Sequence, residues 1–460
     1  MTLKAGWYGD DFTGATDTLA VAARAGWRTL LFLDVPTPAQ LALAGELDAL
    51  GVAGSARTMS PQQMREALPR IGEFFRRMHA PVLLYKCCST FDSSAQTGSL
   101  GAAISVLSDY VEDDTTYVVG GQPDIGRFCC FSNLFAAAGA GGEVCRLDRH
   151  ATMKKHPVTP MNEADLRRHL KRQGIESVLP VHYPQYERIE REIDDSVDAL
   201  LSGQHSKGRC ALLFDVARAA DLAVIGRQLA RRSEQGSLLA VGPSAVVQAL
   251  AAHWHQTPHS LPDGLQPLAP AETSLEGGPA AVQSQTAKRT DIGAVFVFVG
   301  SMSPVTAMQV RYARSYEHVP IDGVELIENP SYADVQHGFI TASLDAGRHV
   351  LAYVPASSAS SRTVPPGDLA RATADFIKRV VDQQAAGASP LRRLGVAGGD
   401  TSSLAARALD IWALGFAGVL APGVTLCRAH SDDSRLHGLE LMLKGGQMGS
   451  SDIFERLLVA

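Results

Sequence analysis

The sequence predicts an α/β protein of two domains, each a mainly parallel sheet flanked by helices, with a ligand cleft between them. Three observations carry this expectation. Short, continuously apolar runs such as "PVLLYK", ending at Lys86, and "VFVFVG", ending at Gly300, have the texture of strands buried on both faces. Amphipathic stretches with helix caps alternate with them. From Gln256 to Asp291 the texture changes to Pro, Gly, Ser, Ala and Thr with little periodicity. That stretch is too long for a structureless loop inside one compact domain. The expected division is therefore an N-terminal domain over 1–250, a linker or excursion over 251–291, and a C-terminal domain over 292–460.

Each element follows from local chemistry. "LKAGWYG" reads as the first strand and "TGATDTLAVAARAG" as its helix. Thr13 is the expected cap, Ala15, Leu19, Ala22 and Ala23 the apolar stripe, and Gly26 the stop. "TLLFLDV" and the apolar stretch within "LDALGVAGSARTMS" follow. "SPQQMREALPRIGEFFRRM" is the next helix, with Ser60 as cap and Pro61 in its first turn. "PVLLYK", "TTYVVGG", "CALLFDV" and "SLLAVGP" complete the strands of the first half. Beyond the linker, "AVFVFVGS", "GRHVLAYVP", "LRRLGVAGG" and "LELMLKGG" are strands again.

Composition narrows the function. The chain has 460 residues, 45% hydrophobic and 20% charged, with a net charge of -6. This is an ordinary globular balance, and its mild acidity argues against a nucleic-acid partner. No apolar run reaches the length of a bilayer span, and the start lacks signal-peptide features, so the cytoplasm is expected. Seven cysteines form no CxxC pair, and fourteen histidines form no HExxH motif. No metal site is expected from them.

Strand tips carry the chemistry, because open α/β sheets bind ligands at the carboxyl ends of their strands. Asp10 and Asp11 stand at the first tip. Ser55, Arg57 and Thr58 stand at another, and Lys86, Ser89, Thr90 and Asp92 at a third. Two cations among hydroxyls suit an anionic, hydroxyl-rich ligand, with Arg57 able to fork onto a carboxylate. In the second half the tips are different. Gly300, Ser301 and Ser303, then "AGGDTSS", then "LKGGQMGSS" present backbone N–H groups that can receive phosphate. Neither GxGxxG nor GxxxxGK[ST] is present, which weighs against a dehydrogenase and excludes a Walker A loop.

These motifs resemble the four-carbon acid sugar kinases, over nearly the whole chain. "YGDDFTGATD" resembles the family's opening, and "YKCCSTFDSS" resembles the 3-oxo-tetronate kinase branch. "KKHPVTPMNEADL", "GSMSPVTAMQV", "VAGGDTSS" and "LKGGQMG" resemble further shared segments. The resemblance implies an ATP- and Mg²⁺-dependent kinase, with the acid on the N-terminal domain and the nucleotide on the C-terminal one. It implies that Asp10, Asp11, Thr13, Arg57, Lys86, Cys87, Cys88 and Ser89 face the acid. Phosphoryl transfer needs an oriented hydroxyl, so a carboxylate, Asp11 ahead of Asp10 or Asp92, is expected to orient or deprotonate it. The resemblance likewise implies that Ser301, Gly398, Gly399, Asp400, Thr401, Gly446, Gln447, Met448 and Gly449 face the nucleotide. Gly399 and Gly446 are expected where the backbone approaches phosphate or takes positive φ. The expected partners are the acid and ATP, without nucleic acid or membrane, and a homodimer is an admissible assembly. The chain departs from the family at Ser403, usually Gly, at Gln447–Met448, usually Asn-Phe, and at Gln122–Asp124. These departures motivate the alternative of a sugar-acid sensor with weakened or lost kinase activity.

Overall fold

The computed structural model describes residues 3–460 except 138–141, 157, 204–208, 257–292, 301–302, 356–364, 388–389 and 447. Of residues 255, 256, 366 and 400 it describes the backbone only. The first half contains strands β1 (Ala5–Gly9), β2 (Thr29–Phe32), β3 (Ala49–Ala53), β4 (Val82–Lys86) and β5 (Thr115–Gly120). Three short strands, β6 (Arg127–Cys130), β7 (Asn133–Ala137) and β8 (Val144–Arg146), form a separate antiparallel sheet. β9 (Val178–Val181), β10 (Cys210–Asp215) and β11 (Leu238–Gly242) return to the main sheet. The second half adds β12 (Val295–Val299), β13 (Glu317–Pro320), β14 (Val350–Tyr353), β15 (Arg393–Ala397), β16 (Ala413–Ala421), β17 (Val424–His430) and β18 (Glu440–Lys444).

The two halves do not keep separate sheets. Among the described residues, fifteen strands form one sheet in the order β13-β14-β12-β15-β18-β17-β16-β2-β3-β1-β4-β11-β5-β10-β9. Within this sheet, every pair of first-half strands is parallel. The seam is antiparallel and short, Ala413 opposite Phe32 and Leu414 opposite Leu31. The reason is the edge problem: an open sheet leaves a row of unpaired backbone groups, and β2 and β16 cover each other's.

The strands are apolar on both faces because both faces are covered. Trp7 and Tyr8 on β1 are each under 5% exposed and enter different cores. The core holding Trp7 and Leu31 continues into the second half through Phe298, Ala405, Leu414 and Cys427. A second core lies on the Tyr8 face, and a third joins Val297, Ala397, Val424 and Ile453.

Helix α1 (Phe12–Arg24) is capped by Asp11, not by Thr13. Asp11 has the extended backbone of a cap and accepts the Gly14 N–H, while Thr13 lies inside the helix and donates to Asp11. Ser60 does cap the helix Pro61–Arg77. The last helix of the first half, Ala245–Gln256, runs past the expected boundary at 250. Most of the expected linker lies outside the described residues. No described helix is long and apolar enough to cross a membrane.

Candidate active site

The first site is stitched from three strand tips. The Asp10 N–H donates to Lys86 O at 2.9 Å, and the Arg57 N–H donates to Asp10 O at 3.1 Å. This places the side chains that follow β1, β3 and β4 together. Arg57 forks onto Asp10, with Nε 3.3 Å from Oδ2 and Nη2 3.1 Å from Oδ1. Its Nη1 lies 2.6 Å from Asp11 Oδ2. Asp11 also accepts from Gly14 N–H at 2.7 Å and from Thr13 Oγ1 at 3.0 Å. Lys86, only 3% exposed, donates to Cys87 O at 2.9 Å. Gly14 makes this convergence feasible, since a Cβ there would lie 2.5 Å from Lys86 Nζ and 2.6 Å from Asp11 Oδ1.

The adjacent carboxylates differ sharply. Burial pushes Asp10 up to about 6, although Arg57 pulls the other way. Burial also raises Asp11, but Arg57, Lys86 and the Gly14 and Thr13 hydrogen bonds outweigh it and hold the carboxyl below the usual range. Beside them, Thr90 Oγ1 donates to Asp92 Oδ1 at 2.5 Å and lies 3.0 Å from Cys88 Sγ. Burial pushes the Cys88 thiol up to about 11, so it stays protonated. The Cys87 side chain is inside the apolar core, and what it lends the site is its backbone carbonyl. Ser89 is half-buried on the same turn.

One neighbouring network escaped the sequence reading. Asp17 on α1 accepts from Ser244 Oγ, just past β11, and from Gln122 Nε2, just past β5. Ser244 Oγ also lies 3.0 Å from Thr18 Oγ1. Part of the signal was available: Gln122 and Ser244 are polar side chains two residues past apolar strands.

In the second half three turns meet. A Cβ on Gly300, after β12, would land on the Thr401 hydroxyl. Gly398 has φ 123° and starts the helix Gly399–Ala408, whose Ser402 Oγ reaches back to Val396 O. Neither Gly399 nor Gly446 takes positive φ; Gly398 and Gly449 do. A Cβ on Gly399 would meet open space. The helix Pro304–Tyr312 latches the last turn with side chains three residues apart. Ser303 Oγ and Thr306 Oγ1 donate to Gly446 O, and Gln309 Nε2 donates to the carbonyls of Met448, Gly449 and Ser450, each at 3.0 Å. Met448 packs over Gly423 of the β16–β17 hairpin, and Ser403 Oγ donates to Gly399 O at 2.9 Å. Ser301, Gln447 and the Asp400 side chain lie outside the described residues.

The halves touch through α1. Thr425 Oγ1 donates to Thr16 O at 3.3 Å, and the Arg407 guanidinium sits 5.5 Å from the Phe12 ring centroid. Between the halves lies a cavity of about 850 Å³, lined by Tyr8, Met59 and Arg70 on one side and Arg407, Ile411 and Trp412 on the other. None of the sequence-predicted site residues lines it.

Comparison with known proteins matches both halves. Residues 5–250 match the sugar-binding N-terminal domain family and residues 296–454 the nucleotide-binding C-terminal domain family. The 3-oxo-isoapionate kinase of Paraburkholderia graminis is 35% identical, covering 97% of this chain and 92% of its own. The 3-oxo-tetronate kinase of Actinobacillus succinogenes is 27% identical, covering 97% of each chain. Among solved structures, a Salmonella typhimurium LT2 protein described as a putative tRNA synthase has TM-score 0.74 at 22% identity, covering 99% of this chain and 98% of that one. A Haemophilus influenzae protein has TM-score 0.68 at 23% identity, covering 98% of each. These two share the fold. With a sugar-binding half and a nucleotide-binding half on one chain, the protein belongs to the four-carbon acid sugar kinase family and is a sugar-acid kinase.

Proposed function

We propose that the protein transfers the γ-phosphoryl group of Mg²⁺-ATP to a hydroxyl of a small, four-carbon 3-oxo sugar acid or a close relative. The observation that carries this is the pairing of a cation-rich tip cluster in one half with three backbone turns in the other. Arg57 has five N–H donors. Three are engaged by Asp10 and Asp11. The remaining two, with the Lys86 ammonium, would hold the substrate carboxylate. Asp11 stays ionised at working pH and would orient the hydroxyl and accept its proton late in transfer. Such positioning is most of what phosphoryl transfer asks of a protein.

ATP fits the second half because the three turns offer backbone N–H groups and Gly399 borders open space. Gly398, Gly399, Thr401, Gly446 and Gly449 would line it. Mg²⁺ bound with the nucleotide would neutralise charge on the transferring phosphoryl group. Among the described residues no cluster of three or more His, Cys, Asp or Glu gathers around a cation site. Mg²⁺ would then be held by the nucleotide's phosphates and waters, with no more than one or two carboxylates of the chain, as is usual for this ion. The unpaired cysteines suit a reducing compartment, and we place the reaction in the cytoplasm.

The test is ADP release over a panel of four-carbon sugar acids, their 2- and 3-oxo forms, and 3-oxo-isoapionate. Turnover of one 3-oxo acid is expected. Asp11→Asn keeps a good helix cap, so this variant should stay folded and lose about 100-fold or more in kcat. Tight binding of an acid without any turnover would replace the kinase by a sensor.

A further inference from the structure

Lys444 ends β18 inside the nucleotide half and is completely buried, at 0% exposure. Nζ donates to Thr306 Oγ1 at 3.2 Å and to Gly445 O at 2.9 Å. No carboxylate among the described side chains pairs with it. A buried ammonium without a counter-charge is costly, and burial alone pushes Lys444 down to about 7. Among the described side chains, its surroundings supply no other charge. Ala397 is its register partner on β15, and the β17 register puts Val424 on its other side. The helix Pro304–Tyr312 presents Ser303, Thr306 and Gln309. Ser402 of the Gly399 helix reaches the Lys444 carbonyl, and Ile453 of the C-terminal helix Ile453–Val459 packs by Gly449 of the same turn. Near that last helix, Asp452 pairs with Arg456, and Glu455 accepts from the Ser315 N–H.

The bond to Gly445 O gives this lysine a direction of action. In a planar trans peptide the carbonyl and the following N–H point opposite ways. The Gly446 N–H therefore points away from Lys444, and it finds no acceptor among the described residues. Ser303 and Thr306 fix the next carbonyl, so this peptide is held in place.

We propose that Lys444 is the positive charge behind the phosphate-binding turn: it takes up a solvent proton when the nucleotide arrives and acts on the phosphate through the Gly445–Gly446 peptide. The inference rests on the kinase reading of this half. Lys444 is a positioning residue, since it reaches phosphate through a backbone N–H. Only its own N–H bond forms, with the proton drawn from the buffer.

The experiment is calorimetric titration of the full chain with ATP at saturating Mg²⁺ and pH 7.5, in buffers of different ionisation enthalpy. Wild type should take up between about half and one proton per nucleotide, the deficit of a group near 7 that becomes fully protonated. Lys444→Met should bind at least about 10-fold more weakly and take up none. A merely structural lysine would leave the proton count unchanged. Buffer-independent binding by wild type overturns the inference, as does unchanged uptake or affinity in the variant. The wild-type titration decides even where the variant does not fold. Absence of any ATP binding would instead remove the nucleotide site, and this inference with it.

Discussion

Asp10 and Asp11 are adjacent in sequence and opposite in electrostatics, and this makes a prediction at the level of one proton. The folded protein holds the Asp10 proton more tightly than an unfolded chain would, since its carboxyl is raised from 3.8 to about 6. Its stabilising contribution is full below the unfolded value and disappears as pH rises through about 6. Asp11 runs the other way: its contribution is present above the ordinary carboxylate range and is lost as pH falls through its lowered value. Between pH 4 and 6 the slope from this pair is therefore that of Asp10. A shift of this size corresponds to about 3 kcal/mol. Asp10→Asn should lose less stability than wild type between pH 4.5 and pH 7, by about 2 kcal/mol, the part of that shift that falls in this window. Parallel pH profiles of Tm would mean that Asp10 titrates like an exposed carboxylate. The sequence made the gathering of acids and cations legible, because each ended a strand. It did not reveal that Asp10 and Asp11 would occupy most of Arg57's fork, which depends on side-chain directions 47 residues apart. The sequence reading set Cys87 against the acid, whereas its side chain is in the core; period-two alternation, by which it shares a face with Tyr85 while Lys86 faces the other way, was the signal passed over.

At the scale of elements, the glycine turns read correctly as connections, but the division of labour inside each needed coordinates. In "AGGD" the residue with φ 123° is Gly398, because the helix begins one residue later. Gly399 is left with ordinary backbone and open space beside it. Gly399→Val should therefore change stability by no more than about 1 kcal/mol, the scale of helix propensity. ATP affinity should fall by at least about 10-fold, because the new side chain fills the region in front of the helix start. Calorimetric titration of the folded variant checks both statements, and unaltered affinity would take "GGDTS" out of the site. The polar spacing of Ser303, Thr306 and Gln309 was visible in "SPVTAMQV" as a stripe at helical intervals. Its partners are the carbonyls of Gly446, Met448, Gly449 and Ser450, about 140 residues later, so no local pattern announced the latch.

For the whole molecule, two sequence families meet in one body, and that has a thermodynamic consequence. The change of texture after Gln256 marks where one family ends, but it hides the joining of the sheets, which occurs between β2 and β16. Neither strand carries a signal for the other, since an edge pairs through its backbone. Directions oppose at this seam, yet from β1 to β18 an ordinary twist of about 20–25° per strand accumulates to roughly 100–125° over five steps. A twist of that size would turn the site-bearing tips well away from pointing in opposite directions. The core is shared as well: Trp7 and Leu31 belong to the same cluster as Phe298, Ala405 and Cys427. Helix α1, which carries Asp11 at its start, contacts the second half through Phe12 and Thr16. A chain of this length would by default unfold in parts. Here, opening either half exposes a face of the common core and an edge of the common sheet, so one calorimetric transition is expected. Trp412, stacked on Phe32 across the seam with ring centroids 5.9 Å apart, should report the same midpoint in fluorescence as the far-ultraviolet dichroism of the whole chain. Mg²⁺-ATP and the acid substrate should each move that single transition upward, by about 2.7 kcal/mol at a hundredfold excess over Kd. Two resolved transitions, with ATP moving only one, would show that the halves fold as separate units despite the shared sheet.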